Sequence, residues 1–200
     1  MKEIDFYFGP GSRYSYIAAT QIARIAQEES VIFNWLPVYS RLLIQQAPFD
    51  PFASQYQRGQ YTPEYRVKDA QRWARYYSIP FQEPDIEGVD WSSIIKACLA
   101  ARSLGEVEAY SLAVFSDVFG SGLPPKTVQR LFELAEHVRL SATQFRVLFS
   151  SESIADQESA ILLKAPANGV FGVPAFIVDG EVFWGQDRIP LLIHHLRNNR

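Results

Sequence analysis

Apolar residues gather in short runs at the two ends of this chain and at helical spacing between them. Ile4 to Phe8 is rich in strand formers and stops at Gly9-Pro10-Gly11, so it predicts a short buried strand. Beyond the turn, Tyr14, Ala18, Ile22 and Ile25 step by four, four and three, which is one face of a helix that opens at Ser12. "VIFNWLPV", residues 31 to 38, predicts a second strand closed by Pro37. The helix between them is long enough to make the two strands parallel neighbours.

The middle of the chain has a different rhythm. Ser40 to Gln60, with Pro48 and Pro51, lacks a period and predicts an irregular loop. Thr62-Pro63-Glu64 carries a capping hydroxyl, a first-turn proline and an acid, followed by an inner stripe of Val67, Ala70, Trp73, Ala74 and Tyr77. "IPFQEPDIEGVD" is a connector. Asp90 can cap a helix running to about Arg102, and another runs from Glu106 to Phe119, stopped by Gly120. Pro124-Pro125 is expected to open a helix reaching about His137, Ser141 with Gln144 makes a capping-box pattern, and a last middle helix spans about Ser153 to Ala165. No strand is predicted between Tyr39 and Asn168.

The end returns to β. Ala175 to Val178 and Val182 to Trp184 flank Asp179-Gly180, a strong hairpin signal. Asp187 is then expected to cap a final helix, "RIPLLIHHLRN", with Pro190 in its first turn. The order β-α-β, helices, β-β-α predicts an α/β thioredoxin-like fold with a four-stranded mixed sheet. Its domain comprises residues 1–39 and 166–200, interrupted by an all-helical insertion over 40–165.

Bulk composition narrows the chemistry. With 200 residues and 48% hydrophobic content, the chain can bury a core without disulfides or metals. A net charge of −3 with no basic run gives no reason to expect nucleic acid as a partner. No apolar run is long enough to span a bilayer, and "MKEIDFYF" lacks a signal peptide's pattern, so a cytoplasmic location is expected. The single cysteine, Cys98, lies in an apolar helical pattern and reads as a buried thiol, which excludes intramolecular dithiol chemistry. His137, His194 and His195 show no metal spacing. The Lys68, Arg72, Arg75 face reads first as a solvated helix face.

What remains is a thioredoxin-type corner with Ser12 and Ser15 where two cysteines would stand. Ser12 reads first as an N-cap. A helix N-terminus also stabilises an anion, and a hydroxyl there can donate to one. If that anion is a ligand's thiolate, the corner makes sense without a sulfur of its own. Val173-Pro174 reads as an edge-strand proline. In a thioredoxin layout it faces the corner, and a cis bond would let Val173 pair with an extended peptide ligand. Glutathione, a small peptide carrying a thiol, fits both halves. Gln186 and Asp187 could hold a ligand's ammonium or carboxylate at the last helix start.

Three blocks carry a family resemblance: "DFYFGPGSRYSYIA", "EYRVKDAQRWARYYSIPFQEP" and "GVFGVPAFIVDGEVFWGQDRIPLL". On these the chain resembles 2-hydroxychromene-2-carboxylate isomerases and kappa-class glutathione transferases, of the DsbA-like branch of the thioredoxin superfamily. The resemblance implies glutathione as cofactor, bound between the thioredoxin-like domain and the insertion. It implies Ser12 as the catalytic residue acting on the sulfur, with Arg13 and Tyr14 beside it. Val173, before Pro174, would pair with the tripeptide backbone. Trp184, Gln186 and Asp187 would form the motif at its γ-glutamyl end. The implied reaction is reversible thiolate addition to a conjugated aromatic enone, and the implied assembly is a homodimer. Arg13 stands where the family usually has proline, adding a cation that could meet a carboxylate. A kappa-type transferase acting on electrophiles or peroxides, and a non-catalytic thioredoxin-like binding module, are the alternative readings.

Overall fold

A computed structural model describes residues 1–45 and 58–199. β1 (Lys2–Phe8) leads into α1 (Arg13–Glu29) and β2 (Val31–Pro37). The helices α2 (Ser40–Gln45), α3 (Pro63–Tyr76), α4 (Trp91–Ser103), α5 (Val107–Phe115), α6 (Val128–His137), α7 (Ala142–Phe149) and α8 (Glu152–Ala167) follow. The chain closes with β3 (Ala175–Val178), β4 (Glu181–Trp184) and α9 (Ile189–Asn198).

The four strands form one mixed sheet in the order β2-β1-β3-β4, with β1 and β2 parallel and the other pairs antiparallel. This is the thioredoxin-like arrangement expected from the strand and helix order. Asp179 and Gly180 take φ values of 53° and 80°, the left-handed backbone that a tight hairpin turn needs.

Alternation along β1 gives the sheet two unlike faces. Phe6 and Phe8 point to one side, where Phe6 meets Trp35 edge-on and Phe176 in a stack, at 5.0 Å between ring centroids in each case. Phe8 and Tyr16 of α1 both reach Phe115 of α5, so strand, first helix and helical region share one core. Asp5 and Tyr7 point to the other side, beside Asn34 and Leu36 of β2. At the chain ends, Lys2 Nζ donates to the Asn199 carbonyl at 2.5 Å, and Arg197 pairs with the buried Glu29 carboxylate.

Three local expectations need correction. Part of the stretch read as loop, Ser40–Gln45, is a helix. It is too short to show a period and is held by burial of Leu43 at 1% exposure. The rest of that expectation, over 46–57, lies outside the described residues. Pro124-Pro125 does not open α6. Both prolines are buried in the connector, and Thr127 caps the helix by accepting the Arg130 N–H at 3.2 Å. Asp187 is not the cap of α9. It lies in a 3₁₀ turn, Gln186–Arg188, that precedes the helix, and makes no capping hydrogen bond.

Candidate functional site

The corner is built by its two serines. Ser12, in extended backbone, caps α1: its Oγ accepts the Ser15 N–H at 3.2 Å. Ser15, fully buried, returns the bond, its Oγ accepting the Gly9 N–H at 3.2 Å. The Ser12 N–H closes the turn onto the Gly9 carbonyl at 2.9 Å. The Ser-x-x-Ser spacing thus locks the turn to the helix. It leaves the Ser12 hydroxyl proton and the N–H groups of Arg13 and Tyr14 without a protein acceptor among the described residues. These donors carry the positive end of the helix dipole.

Two other elements close on this corner. A Cβ placed on Gly9 would lie 3.1 Å from Val173 Cγ2, so the valine side chain packs directly against the turn. A Cβ on Gly11 would meet three ring atoms of Trp91 at 3.2 Å, so the start of α4 roofs it. The Val173-Pro174 peptide is cis. The Val173 N–H and C=O have no hydrogen-bond partner among the described residues. The Pro174 carbonyl accepts the Gly185 N–H at 2.8 Å, which ties the proline to the loop carrying Gln186 and Asp187.

That loop depends on a glycine. Gly185 has φ of 110°, and a Cβ there would sit 2.3 Å from Asp187 Oδ1. Gln186 is 2% exposed, and its Oε1 has no partner among the described residues. Asp187 is exposed and paired with Arg188 at 2.8 Å. Trp184 stacks obliquely on Phe171, at 4.9 Å between centroids, and lies over Gly172.

The arrangement is that of a known family. A model for the DSBA-like thioredoxin domain matches residues 3–197. The chain belongs to the DsbA-like thioredoxin family. Within it, a 2-hydroxychromene-2-carboxylate isomerase from Sphingobium xenophagum is 29% identical, over 98% of both chains. One from Pseudomonas sp. (strain C18) is 25% identical over 94% of this chain and 87% of that one. Among solved structures, a 2-hydroxychromene-2-carboxylate isomerase superposes with a TM-score of 0.80 at 23% identity, covering 98% and 95% of the two chains. The cytosolic disulfide reductase DsbM from Pseudomonas aeruginosa with GSH superposes at 0.67 and 17% identity, over 98% and 99%. These last two likenesses are of fold.

The helical side of this DsbA-like chain engages the residues next to Ser12. Arg13 donates from Nε to Glu83 Oε2 at 3.2 Å and also from Nη2 to Oε1, so its charge is already answered. Tyr14 donates to Asp69 Oδ2 at 2.9 Å. Burial first, then the Asp69 hydrogen bond and charge, raise the Tyr14 phenol, and burial pushes Tyr16 up to about 12. Both hydroxyls therefore stay protonated at neutral pH. Burial, then the like charge of Arg13, lowers Arg66. Cys98 is buried and its thiol is pushed up to about 12 by burial, consistent with an inert thiol.

Glu83, Asp69, Arg66 and Trp91 were not singled out by sequence reasoning. The face Lys68, Arg72, Arg75 is exposed, as its solvated reading implied. The inward cation is Arg66, whose spacing to Ala70, Trp73 and Tyr77 follows the helix's own inner stripe. That spacing is the signal that could have found it.

Proposed function

We propose that this protein is a glutathione-dependent isomerase of the 2-hydroxychromene-2-carboxylate type. The observation that carries the reading is a donor set at the thiol-free corner with no acceptor among the described residues. It comprises the Ser12 hydroxyl proton and two α1 N–H groups, packed against a residue, Val173, whose backbone N–H and C=O are both unpaired among the described residues. The sequence relatives bearing the isomerase name support the choice of reaction.

The residues present suit a thiol peptide. Val173 offers one donor and one acceptor to an extended backbone. Gln186 holds a buried amide oxygen without a partner among the described residues, suited to an ammonium. Asp187 offers a carboxylate to the same ammonium after releasing Arg188. Glutathione, when bound, supplies a thiolate nucleophile for reversible addition to a conjugated double bond. Ser12 donates its hydroxyl proton to the negative sulfur, and the N–H groups of Arg13 and Tyr14 add the helix field. Trp91, over Gly11, excludes water from the same side. A cytoplasmic homodimer belongs to the same reading.

Titration calorimetry with glutathione, followed by isomerisation of a 2-hydroxychromene-2-carboxylate with glutathione in catalytic amount, tests it. Turnover that depends on glutathione without consuming it is expected. Stoichiometric consumption with a chlorodinitrobenzene-type electrophile alone would move the assignment to a kappa-type transferase. No uptake of glutathione would end both.

A further inference from the structure

The sheet face away from Phe6 and Phe8 carries a second, polar recess. The register places Asp5 beside Asn34 and Tyr7 beside Leu36. The end of α4 brings Arg102, and α8 passes over with Ala160, Ile161 and Lys164, leaving a cleft of about 290 Å³. It shares no lining residue with the Ser12 corner.

Its hydrogen bonds are lopsided. Arg102 is half-buried and donates one bond, Nη2 to Asn34 Oδ1 at 3.0 Å, while Asn34 Nδ2 donates on to Asp5 Oδ1 at 2.8 Å. The cation thus reaches its nearest carboxylate in this chain of bonds only through a neutral amide. No carboxylate of the described residues stands within 4.0 Å of Arg102 or Lys164 nitrogen atoms. Tyr7, only 2% exposed, accepts from Asn168 Nδ2 at 3.3 Å, and its own O–H has no acceptor among the described residues. Burial raises the Tyr7 phenol, so that proton is present at neutral pH. Asp5 Oδ1 and Asn34 Oδ1 each accept one bond of this relay, and Tyr7, Arg102 and Lys164 hold spare donors.

We infer that this cleft between β1, α4 and α8 binds a small oxyanion, a carboxylate or phosphate. The anion would be held by the Arg102 guanidinium, the Lys164 ammonium and the Tyr7 hydroxyl. A planar guanidinium presents paired N–H groups to such an anion, and charge-assisted bonds are the strong ones. Two cations against the one Asp5 carboxylate leave the lining net positive, which disfavours a cation, and a neutral ligand leaves that excess unanswered. The volume is small for a ligand site and suits inorganic phosphate or an acid of a few carbons.

The test is a titration of the ¹⁵N-labelled protein with sodium phosphate and, separately, sodium malonate, at constant ionic strength set by chloride. Saturable shifts of the Tyr7, Asn34 and Asn168 amides are expected, larger than any at Ser12 or Gln186. The acid giving the tighter curve identifies the headgroup class. Arg102→Gln is expected to weaken binding roughly ten-fold or more. Lys164→Gln and Ala160→Glu, on the exposed surface of α8, carry the test if Arg102→Gln does not fold. The first weakens binding and the second, placing a carboxylate at the mouth, abolishes it. Shifts that fail to saturate with both anions, or that are unchanged in Ala160→Glu, overturn the assignment.

Discussion

Replacing Ser12 by alanine removes two things at once, and they separate cleanly. The first is the cap. Loss of the bond from Ser15 N–H to Oγ, 3.2 Å long, costs about 1 kcal/mol. For a chain of this size that lowers the melting temperature by about 2–4 °C. The second is the hydroxyl donated to a bound thiolate. A hydrogen bond to a charged group contributes roughly 1.5–3 kcal/mol, which at 1.36 kcal/mol per unit is about 1–2 pKa units. Free thiols titrate near about 8.5, and in the complex the value is lowered. Binding then releases a proton between the two values, and affinity rises with pH across that window and levels off above the free value. Calorimetry in buffers of different ionisation enthalpy counts the proton, and ultraviolet thiolate absorbance against pH locates the bound value. In Ser12→Ala the window should narrow by about 1–2 units. Ser15→Ala is the control. It strands the buried Gly9 N–H at a cost of about 1–3 kcal/mol without touching the donor to sulfur. A Ser12→Ala complex whose thiol titrates where the wild-type complex does would refute the role given to the hydroxyl.

Gly185→Ala forces a side chain onto φ of 110° and into Asp187, so thermal melts should show a loss of at least about 1–3 kcal/mol. Cys98, with its thiol pushed up to about 12 by burial, should resist iodoacetamide at pH 8 in the native state and react fully in denaturant, as read by mass. The Ser93 hydroxyl and N–H hold the Asp90 carboxyl below its ordinary value of 3.8. Its contribution is therefore complete above that unfolded value and is lost as pH falls through the lower folded one. Because Asp90 is exposed the effect is only about 0.5 kcal/mol, and Asp90→Asn should flatten that part of a stability-against-pH curve. Glu29→Gln weakens the pairing of a buried carboxylate with Arg197, and urea melts should show a loss of about 1–3 kcal/mol.

What the sequence disclosed was local or periodic. The hairpin was legible because Asp179-Gly180 is needed by the turn itself, whatever surrounds it. The cap at Ser12 was legible for the same reason. The Pro124-Pro125 expectation failed because proline suits a first helical turn and a buried connector equally, and only packing decides between them. Asp187 misled because a 3₁₀ turn opened by Gly185 intervenes before α9. The partners of Arg13 and Tyr14, Glu83 and Asp69, were hidden because they come from distant segments with no shared spacing. The reciprocal role of Ser15 was present in the text of the chain, but only the burial of Gly9 gave it meaning.

The central place of β1, between β2 and β3, has a consequence for biosynthesis. β2 is made soon after β1, yet β3 emerges only after the whole helical segment. At about 5–20 residues per second, one flank of the strand waits on the order of ten seconds for its natural neighbour. For that interval the nascent polypeptide exposes an open β edge of unpaired backbone groups at Asp5, Phe6 and Tyr7, a surface that ribosome-associated chaperones would be expected to shield.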